Sequence, residues 1–190
     1  MASDHIEVEI KVPTSEIEWK RIQSDLSVRC GEPRVSAQSD AYYNSPARDF
    51  LAVTPVAEWL SIRHRGAHST LQYKHCFFEP GPVFSYAEEF ETEIGSRDAT
   101  EKLLVSLGFR KLVTVEKKRE AFVVNSEFEV ALDAVTDLGF FVEVEALKDF
   151  GGVEKTREAV HDFAKLLGLD VSKADMGGYP WLLLQKKGLL

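Results

Sequence analysis

Cysteine is scarce in this sequence of 190 residues, and long apolar runs are missing. Cys30 and Cys76 are the only two cysteines, and their spacing fits neither a disulfide framework nor a zinc site. No apolar stretch approaches the roughly 20 residues that a membrane-spanning helix needs. The first residues lead directly into a strand pattern, without the apolar core of a signal peptide. These absences predict a cytoplasmic protein with reduced thiols and no membrane partner.

Basic residues are in the minority. The formal net charge is −8, from 23 lysines and arginines against 31 aspartates and glutamates, and no long basic run is present. A surface that binds nucleic acid or an anionic membrane normally shows a basic excess, so we expect neither as the main ligand. The five histidines are scattered, without zinc spacing on a helix. An acidic chain that binds a polyanion must gather its cations locally or use a metal ion.

Eight segments show the period-two alternation of β-strands. They are residues 5–12, 38–44, 58–65, 69–77, 84–94, 112–124, 127–135 and 139–147. A capping box formed by Ser15 and Glu18 begins a predicted helix that ends near Cys30. Further helices are predicted at about 97–107, 153–167 and 181–185. No segment has the composition of a linker, so we expect one α+β domain over residues 1–190. The oligomeric state stays open.

Charged side chains share one face on several of these strands, and on four of the strands that face carries a single sign. Glu7, Glu9 and Lys11 share one face of the first strand, opposite Val8 and Ile10. The other groups that share a face are Arg63 with Arg65, Glu89 with Glu91 and Glu93, Lys117 with Arg119, and Glu143 with Glu145. On a sixth strand, Asp133 lies opposite Val130 and Leu132. For one strand alone, the simplest interpretation is a charged face in water and an apolar face on the core. Charges that are sorted on six strands favour a shared site instead.

A closed antiparallel β-barrel explains the sorted faces best. About eight strands can close around an interior that admits one small ligand, with amphipathic helices packed outside. An open sheet with helices behind it is the alternative. Buried charges are costly unless something neutralises them. A polyphosphate bound by the cations, with a divalent metal ion bridging it to the carboxylates, would neutralise both sets at once.

The order of motifs along the chain resembles the CYTH or triphosphate tunnel metalloenzyme superfamily. This superfamily includes thiamine triphosphatases, inorganic tripolyphosphatases and class IV adenylate cyclases. The motifs are Glu7-Val-Glu-Ile-Lys11, Asp40-Ala-Tyr-Tyr-Asn44, Arg63-His-Arg65, Leu71-Gln-Tyr-Lys74, Glu89-Phe-Glu91, Lys117-Lys-Arg119, Asp133, Gly139-Phe-Phe-Val-Glu-Val-Glu-Ala146 and Tyr179. The resemblance covers nearly the full length and implies an eight-stranded antiparallel tunnel.

The resemblance also implies roles for individual residues. The triphosphate would be held by Lys11, Arg63, Arg65, Lys74, Lys117 and Arg119, with Glu89 and Glu91 nearby. Within this set, Lys11, Arg63 and Arg119 would act in catalysis. One or two Mg²⁺ or Mn²⁺ ions would be coordinated by Glu7, Glu9, Asp133, Glu143 and Glu145. A metal-activated water would attack the terminal phosphorus.

One motif departs from the family pattern, and one residue bears on the choice among subfamilies. The usual Leu-Arg-x-Arg motif is replaced by Leu60-Ser-Ile-Arg63-His-Arg65, so either the arginine pair is shifted by two residues or Ser61 replaces one arginine. Trp59 lies near the position where the thiamine triphosphatase branch carries a tryptophan beside the arginine strand, and it could stack on a thiazolium cation. Packing at the barrel rim is the structural alternative for this tryptophan.

Thiamine triphosphate is therefore the favoured substrate, followed by inorganic tripolyphosphate. A class IV adenylate cyclase would use the same scaffold for a different reaction, in which a ribose hydroxyl attacks the α-phosphorus. A polyphosphate-binding module without activity is the non-enzymatic alternative. The glutamates at positions 7, 9, 143 and 145 argue against that module, because a pure anion binder gains nothing from buried carboxylates.

Overall fold

The computed structural model describes residues 6–79, 83–174 and 177–190, without the side chain of Val83. Within these ranges the chain forms nine strands and four α-helices. The strands are β1 (Ile6–Glu7), β2 (Glu9–Thr14), β3 (Arg34–Asn44), β4 (Glu58–Arg65), β5 (His68–Glu79), β6 (Val83–Glu93), β7 (Arg110–Val124), β8 (Phe128–Val135) and β9 (Gly139–Ala146). The helices are α1 (Glu16–Cys30), α2 (Arg97–Ser106), α3 (Val153–Leu166) and α4 (Gly178–Lys186).

All strand pairs are antiparallel and belong to one sheet, in the order β1-β6-β5-β4-β3-β7-β8-β9-β2. The predicted first strand, 5–12, is two strands in the structure, because Val8 interrupts it; His5 lies outside the described residues. β1 pairs with β6 while β2 pairs with β9, so this one segment joins both edges of the sheet. The barrel is therefore nearly closed. The predicted antiparallel barrel is confirmed, with nine strands in place of eight.

Helices α1 and α3 cover one side of the barrel. Trp19, Ile22 and Leu26 of α1 and Val160 and Ala164 of α3 are buried against the outward apolar residues of the sheet. The predicted capping box is present, because the backbone N–H of Glu18 donates to the Ser15 side chain. Outward apolar residues therefore bury against helices, which leaves the opposite face of each strand to the interior of the barrel.

The C-terminal helix α4 begins at Gly178, earlier than the predicted start at residue 181. It packs on the strands with Tyr179, Leu183 and Leu184, next to Trp59 and Phe141. Apolar contacts with the barrel thus stabilise a first turn that the local sequence does not predict, since Gly178 and Pro180 are poor helix formers. None of the helices formed by the described residues is long and apolar enough to cross a lipid bilayer.

Candidate functional site

A cavity of about 680 Å³ lies inside the barrel. Its lining contains every predicted site residue except Asp133. These lining residues are Glu7, Glu9, Lys11, Trp59, Arg63, Arg65, Lys74, Glu89, Glu91, Lys117, Arg119, Glu143 and Glu145. The structure thus brings together side chains from seven strands, β1, β2, β4, β5, β6, β7 and β9. Their individual roles stay predictions.

Cations and carboxylates alternate around one side of this cavity. Arg63 Nε lies 3.2 Å from Asp40 Oδ1. The next cation, Lys117, lies between two carboxylates, with its Nζ 3.9 Å from Asp40 Oδ2 and 3.7 Å from Asp133 Oδ2. Asp40 was not among the predicted site residues, although it belongs to one of the family motifs and shares a face of β3 with Gln38 and Tyr42.

The alternation continues through Arg119 to Lys11. Arg119 donates from Nε to Asp133 Oδ1 at 2.8 Å and from Nη2 to Asp133 Oδ2 at 2.6 Å and Glu143 Oε2 at 3.0 Å. Lys11 Nζ lies 3.0 Å from the same Glu143 oxygen. Burial alone would raise the pKa of Glu143, but Arg119 and Lys11 hold it well below its ordinary value. The carboxylate therefore stays ionised and keeps both cations in place.

A second cluster surrounds Lys74. Its Nζ donates to Glu9 at 2.6 Å and to Glu7 at 3.0 Å, and lies 3.7 Å from Glu89. Three carboxylates thus share one ammonium group, and they repel one another. Burial raises the pKa of Glu89 to about 7, with Lys74 opposing this shift and Glu7 adding to it.

Asp133, predicted as a metal ligand, lies behind the cavity lining and is 0% exposed. Both of its oxygens accept hydrogen bonds from Arg119, and Oδ2 also accepts one from the Tyr179 hydroxyl at 2.8 Å. This geometry fits a residue that orients Arg119 better than a ligand that faces a metal ion. Tyr179 reaches the site from α4, far along the chain, and sequence spacing alone does not indicate that contact.

Two charged side chains of the lining, Glu145 and Arg65, make no hydrogen bond or ion pair with any described residue. Burial, followed by repulsion from Glu7, Glu9 and Glu143, raises the pKa of Glu145 to about 8. Burial and the neighbouring guanidinium groups of Arg63 and Arg119 lower the pKa of Arg65. Each group lies among charges of its own sign, so each would be stabilised by a ligand of the opposite sign.

The structure shows where the residues of the altered arginine motif on β4 lie. Ser61, Arg63 and Arg65 all line the cavity, and Ser61 is 2% exposed. The Ser61 hydroxyl lies 3.4 Å from the Gln72 side chain, which donates to Glu91 at 3.1 Å and also to Glu89. The cavity therefore has a small polar group at position 61 and an additional guanidinium at position 65.

The carboxylates of Glu7, Glu9 and Glu145 form a set of oxygen donors that suits a hard divalent ion. Glu9 and Glu145 are directly paired across β2 and β9, and Glu7 is close enough to raise the pKa of Glu145. Carboxylate oxygens are the ligands that Mg²⁺ and Mn²⁺ prefer. Over the described ranges, however, no three His, Cys, Asp or Glu side chains are already gathered as a ligand set. Glu7 and Glu9 instead accept hydrogen bonds from Lys74.

Trp59 combines both interpretations that its position allows. It lines the cavity, with Tyr42 edge-on at 5.6 Å between ring centroids, and it also packs in the apolar cluster beneath α4. With only 7% of its surface exposed, it offers part of one ring to the cavity.

Comparison with known proteins agrees with this architecture. The sequence profile of the CYTH domain matches residues 5–177. The chain is 27% identical over 169 residues to "Putative adenylate cyclase MJ0240" of Methanocaldococcus jannaschii, covering 86% of this chain and 90% of that protein. The PH1819 protein of Pyrococcus horikoshii has 29% identity and a TM-score of 0.79, over 95% of this chain and 99% of its own.

A plant protein shares the fold at lower identity. "Putative adenylyl cyclase HpAC1" from Hippeastrum, described as having a dominant triphosphatase activity, is 18% identical with a TM-score of 0.62, over 97% of this chain and 96% of its own. Since the CYTH profile spans most of the sequence and follows the strands that carry the charged lining, this chain belongs to the CYTH domain family.

Proposed function

We propose that this protein is a metal-dependent hydrolase of a small triphosphate. One observation carries the proposal: one cavity inside the barrel holds interleaved cations and carboxylates, of which Arg65 and Glu145 have no partner among the described residues. A polyphosphate together with a divalent ion supplies the missing charge of both signs. Neither an anion alone nor a cation alone does so.

The phosphate oxygens would be bound by the cations of the alternating array. Arg119 makes its bonds to Asp133 and Glu143 through Nε and Nη2, so Nη1 can donate to a phosphate oxygen. Arg63, which lies against Asp40 and 3.9 Å from Glu91, and Lys11, which lies against Glu143, are likewise held by carboxylates. Cations held by the protein stabilise charge on the phosphoryl oxygens without reorganising during the reaction.

A divalent ion would be held by Glu7, Glu9 and Glu145, with Glu143 adjacent. When bound, such an ion would act as a Lewis acid toward the phosphoryl group and would lower the pKa of the attacking water. Glu145, whose pKa is raised by burial and by the neighbouring carboxylates, would be stabilised in its ionised form beside that positive charge, and Lys74 would then be available to bind phosphate.

The reaction is a displacement at the terminal phosphorus. Water attacks, the bond to the bridging oxygen breaks, and the diphosphate leaves with the electron pair. Lys117 is suited to stabilise the negative charge on the leaving oxygen. Burial and the neighbouring Arg119 lower the pKa of Lys117 to about 8, so its ammonium form still predominates at neutral pH. Asp40 and Asp133 keep that ammonium within the array.

Thiamine triphosphate remains the favoured organic substrate, because the rings of Trp59 and Tyr42 are available to a cationic heterocycle at the cavity wall. Inorganic tripolyphosphate needs no such contact and is next. The name of the archaeal relative favours a second candidate, an adenylate cyclase, whose substrate base would use the same aromatic pair. A binding module without activity is disfavoured by the carboxylates, which weaken anion binding.

The experiment is a panel of thiamine triphosphate, tripolyphosphate, ATP and pyrophosphate, with phosphate release and cyclic AMP measured in parallel. We expect phosphate release with Mg²⁺ or Mn²⁺ and none in EDTA. Lys11→Ala and Arg119→Ala should reduce turnover by orders of magnitude, and Arg119→Ala should also lower the free energy of unfolding, because it removes the guanidinium partner of the buried Asp133. Lys20→Ala is the matched control, because this lysine pairs with Glu16 on the exposed face of α1. Cyclic AMP without phosphate release would favour the cyclase, and hydrolysis that survives chelation would exclude the metal role.

A further inference from the structure

The aromatic ring of Tyr179 lies beneath two of the cavity's lysines, and its hydroxyl contacts the carboxylate that orients an arginine. We infer that Tyr179 is a positioning residue, through which α4 arranges Lys11, Lys117 and Arg119 for a polyphosphate ligand. The inference rests on the proposed function and adds to it a residue outside the barrel strands.

The contacts to the lysines involve the ring. Lys11 Nζ lies 4.7 Å from the ring centroid of Tyr179, and Lys117 Nζ lies 5.0 Å from it. Both distances are within the range of a cation–π interaction. One ring therefore fixes the spacing of two ammonium groups that would otherwise repel each other.

Lys117 depends on this ring more than Lys11 does. Lys11 has a close ion pair with Glu143 at 3.0 Å. Among the residues that the structure describes, the nearest carboxylate oxygens of Lys117 are 3.7 and 3.9 Å away, beyond hydrogen-bond distance, although its side chain is only 4% exposed. A buried ammonium without a short hydrogen bond has little to fix its position except the ring beneath it.

The contact to the arginine involves the hydroxyl. Tyr179 donates to Asp133 Oδ2 at 2.8 Å, and the same oxygen accepts from Arg119 Nη2 at 2.6 Å. The tyrosine is 3% exposed and Asp133 is 0% exposed, so water does not replace this bond. The Tyr179 hydroxyl thereby fixes the orientation of the Asp133 carboxylate, which in turn binds Arg119.

The ring of Tyr179 packs against apolar residues on the side away from the cavity. Phe141 packs edge-on against it, with 5.0 Å between centroids and 72° between planes. Leu183, one turn later on α4, is buried in the same apolar cluster and does not line the cavity. The docking of α4 and the arrangement of the cations can therefore be disturbed separately.

The test compares Tyr179→Leu, Tyr179→Phe and Leu183→Ala in the full chain, with tripolyphosphate binding measured by calorimetry in EDTA and in Mg²⁺. We expect the Leu variant to bind at least about 10-fold more weakly, because both lysines lose the ring. The Phe variant keeps the ring and should bind within about threefold of wild type. Leu183→Ala should lower the melting temperature through the cavity that it leaves, with binding also within about threefold.

Two outcomes would overturn the inference. One is wild-type affinity in the Leu variant; the other is an equal loss of affinity in Leu183→Ala, which would reduce Tyr179 to a packing residue. If the Leu variant does not fold, kinetics of the Phe variant decide. We expect its kcat to fall about 10-fold while KM changes little, because Arg119 loses a fixed carboxylate but both lysines keep their ring. An unchanged kcat would refute the positioning role.

The binding measurements also separate this inference from the proposed function. Wild-type protein that binds tripolyphosphate but hydrolyses no triphosphate would refute the hydrolase, while the affinities of the variants still test Tyr179. Wild-type protein that binds no tripolyphosphate in either condition would refute both.

Discussion

Replacing Glu145 with glutamine is expected to make the metal-free protein more stable while removing its activity. Glu145 has no ion pair with a described residue, and burial together with Glu7, Glu9 and Glu143 raises its pKa to about 8. Ionising this carboxyl therefore costs the folded state free energy that the unfolded chain does not lose. Glutamine keeps the shape and removes the charge.

The magnitude follows from the difference between the two pKa values. In the unfolded chain the carboxyl titrates near 4.5, and in the folded protein near 8. Below the unfolded value both states hold the proton and the wild type loses nothing. As the pH rises from 4.5 towards 8, the wild type loses about 1.4 kcal/mol per pH unit, or about 3 kcal/mol by neutral pH. This is an upper value, because water in the cavity screens the repulsion.

The assay is urea unfolding in EDTA at about pH 5, 7 and 9 for wild type and Glu145→Gln. We expect the variant's free energy of unfolding to exceed that of wild type by less than about 1 kcal/mol at the lowest pH and by about 2–3 kcal/mol at neutral pH. Added Mg²⁺ should raise the stability of the wild type but not of the variant. Glu129→Gln is the matched control, since Glu129 also lines the cavity and faces Glu145 across β8 and β9 but pairs with Arg34. A variant that is no more stable than wild type at any pH would refute this reasoning.

Two further variants separate the roles of buried and unpaired groups. Asp133→Asn should lower the free energy of unfolding by about 3 kcal/mol, because it breaks a buried ion pair. The variant should also have a higher KM for triphosphate, while the Mg²⁺ concentration for half-maximal activity should not change. A shift in that Mg²⁺ concentration would restore Asp133 as a metal ligand. Arg65→Ala should raise KM about 10-fold with no loss of stability in urea, because Arg65 has no described partner and is repelled by Arg63 and Arg119. Arg63→Ala leaves the buried Asp40 with only the more distant Lys117 among the described cations, so it should destabilise the protein instead. Equal stability losses in the two variants would contradict this distinction.

Which face of each strand a charge occupies was predictable from the sequence, because side chains alternate with a period of two. Glu9, Lys11, Glu143 and Glu145 were placed on inward faces in this way, and all four line the cavity. The start of α1 was also predictable from the local sequence. The side chains of Ser15 and Glu18 each accept a hydrogen bond from the other residue's backbone N–H, within one helical turn.

Pairing between charges depends on strand order and register, which alternation does not specify. Lys74 of β5 reaches Glu7 and Glu9 because the interruption at Val8 lets β1 join β6. For the same reason, Asp133 looked like one more inward carboxylate in the sequence, whereas in the structure it lies behind Arg119 with both oxygens engaged.

The sequence by itself therefore determined the strands and which charged side chains share a face, because these follow from local periodicity, and it predicted the antiparallel barrel from the sorted faces and the family resemblance. Only the tertiary structure decided which carboxylates are neutralised by protein cations and which, like Glu145, are left without a described partner. It also decided that Tyr179 of α4 contacts Lys11 and Lys117 from outside the strands. Such contacts join residues far apart in the chain, and their energies depend on distances that only the closed barrel sets.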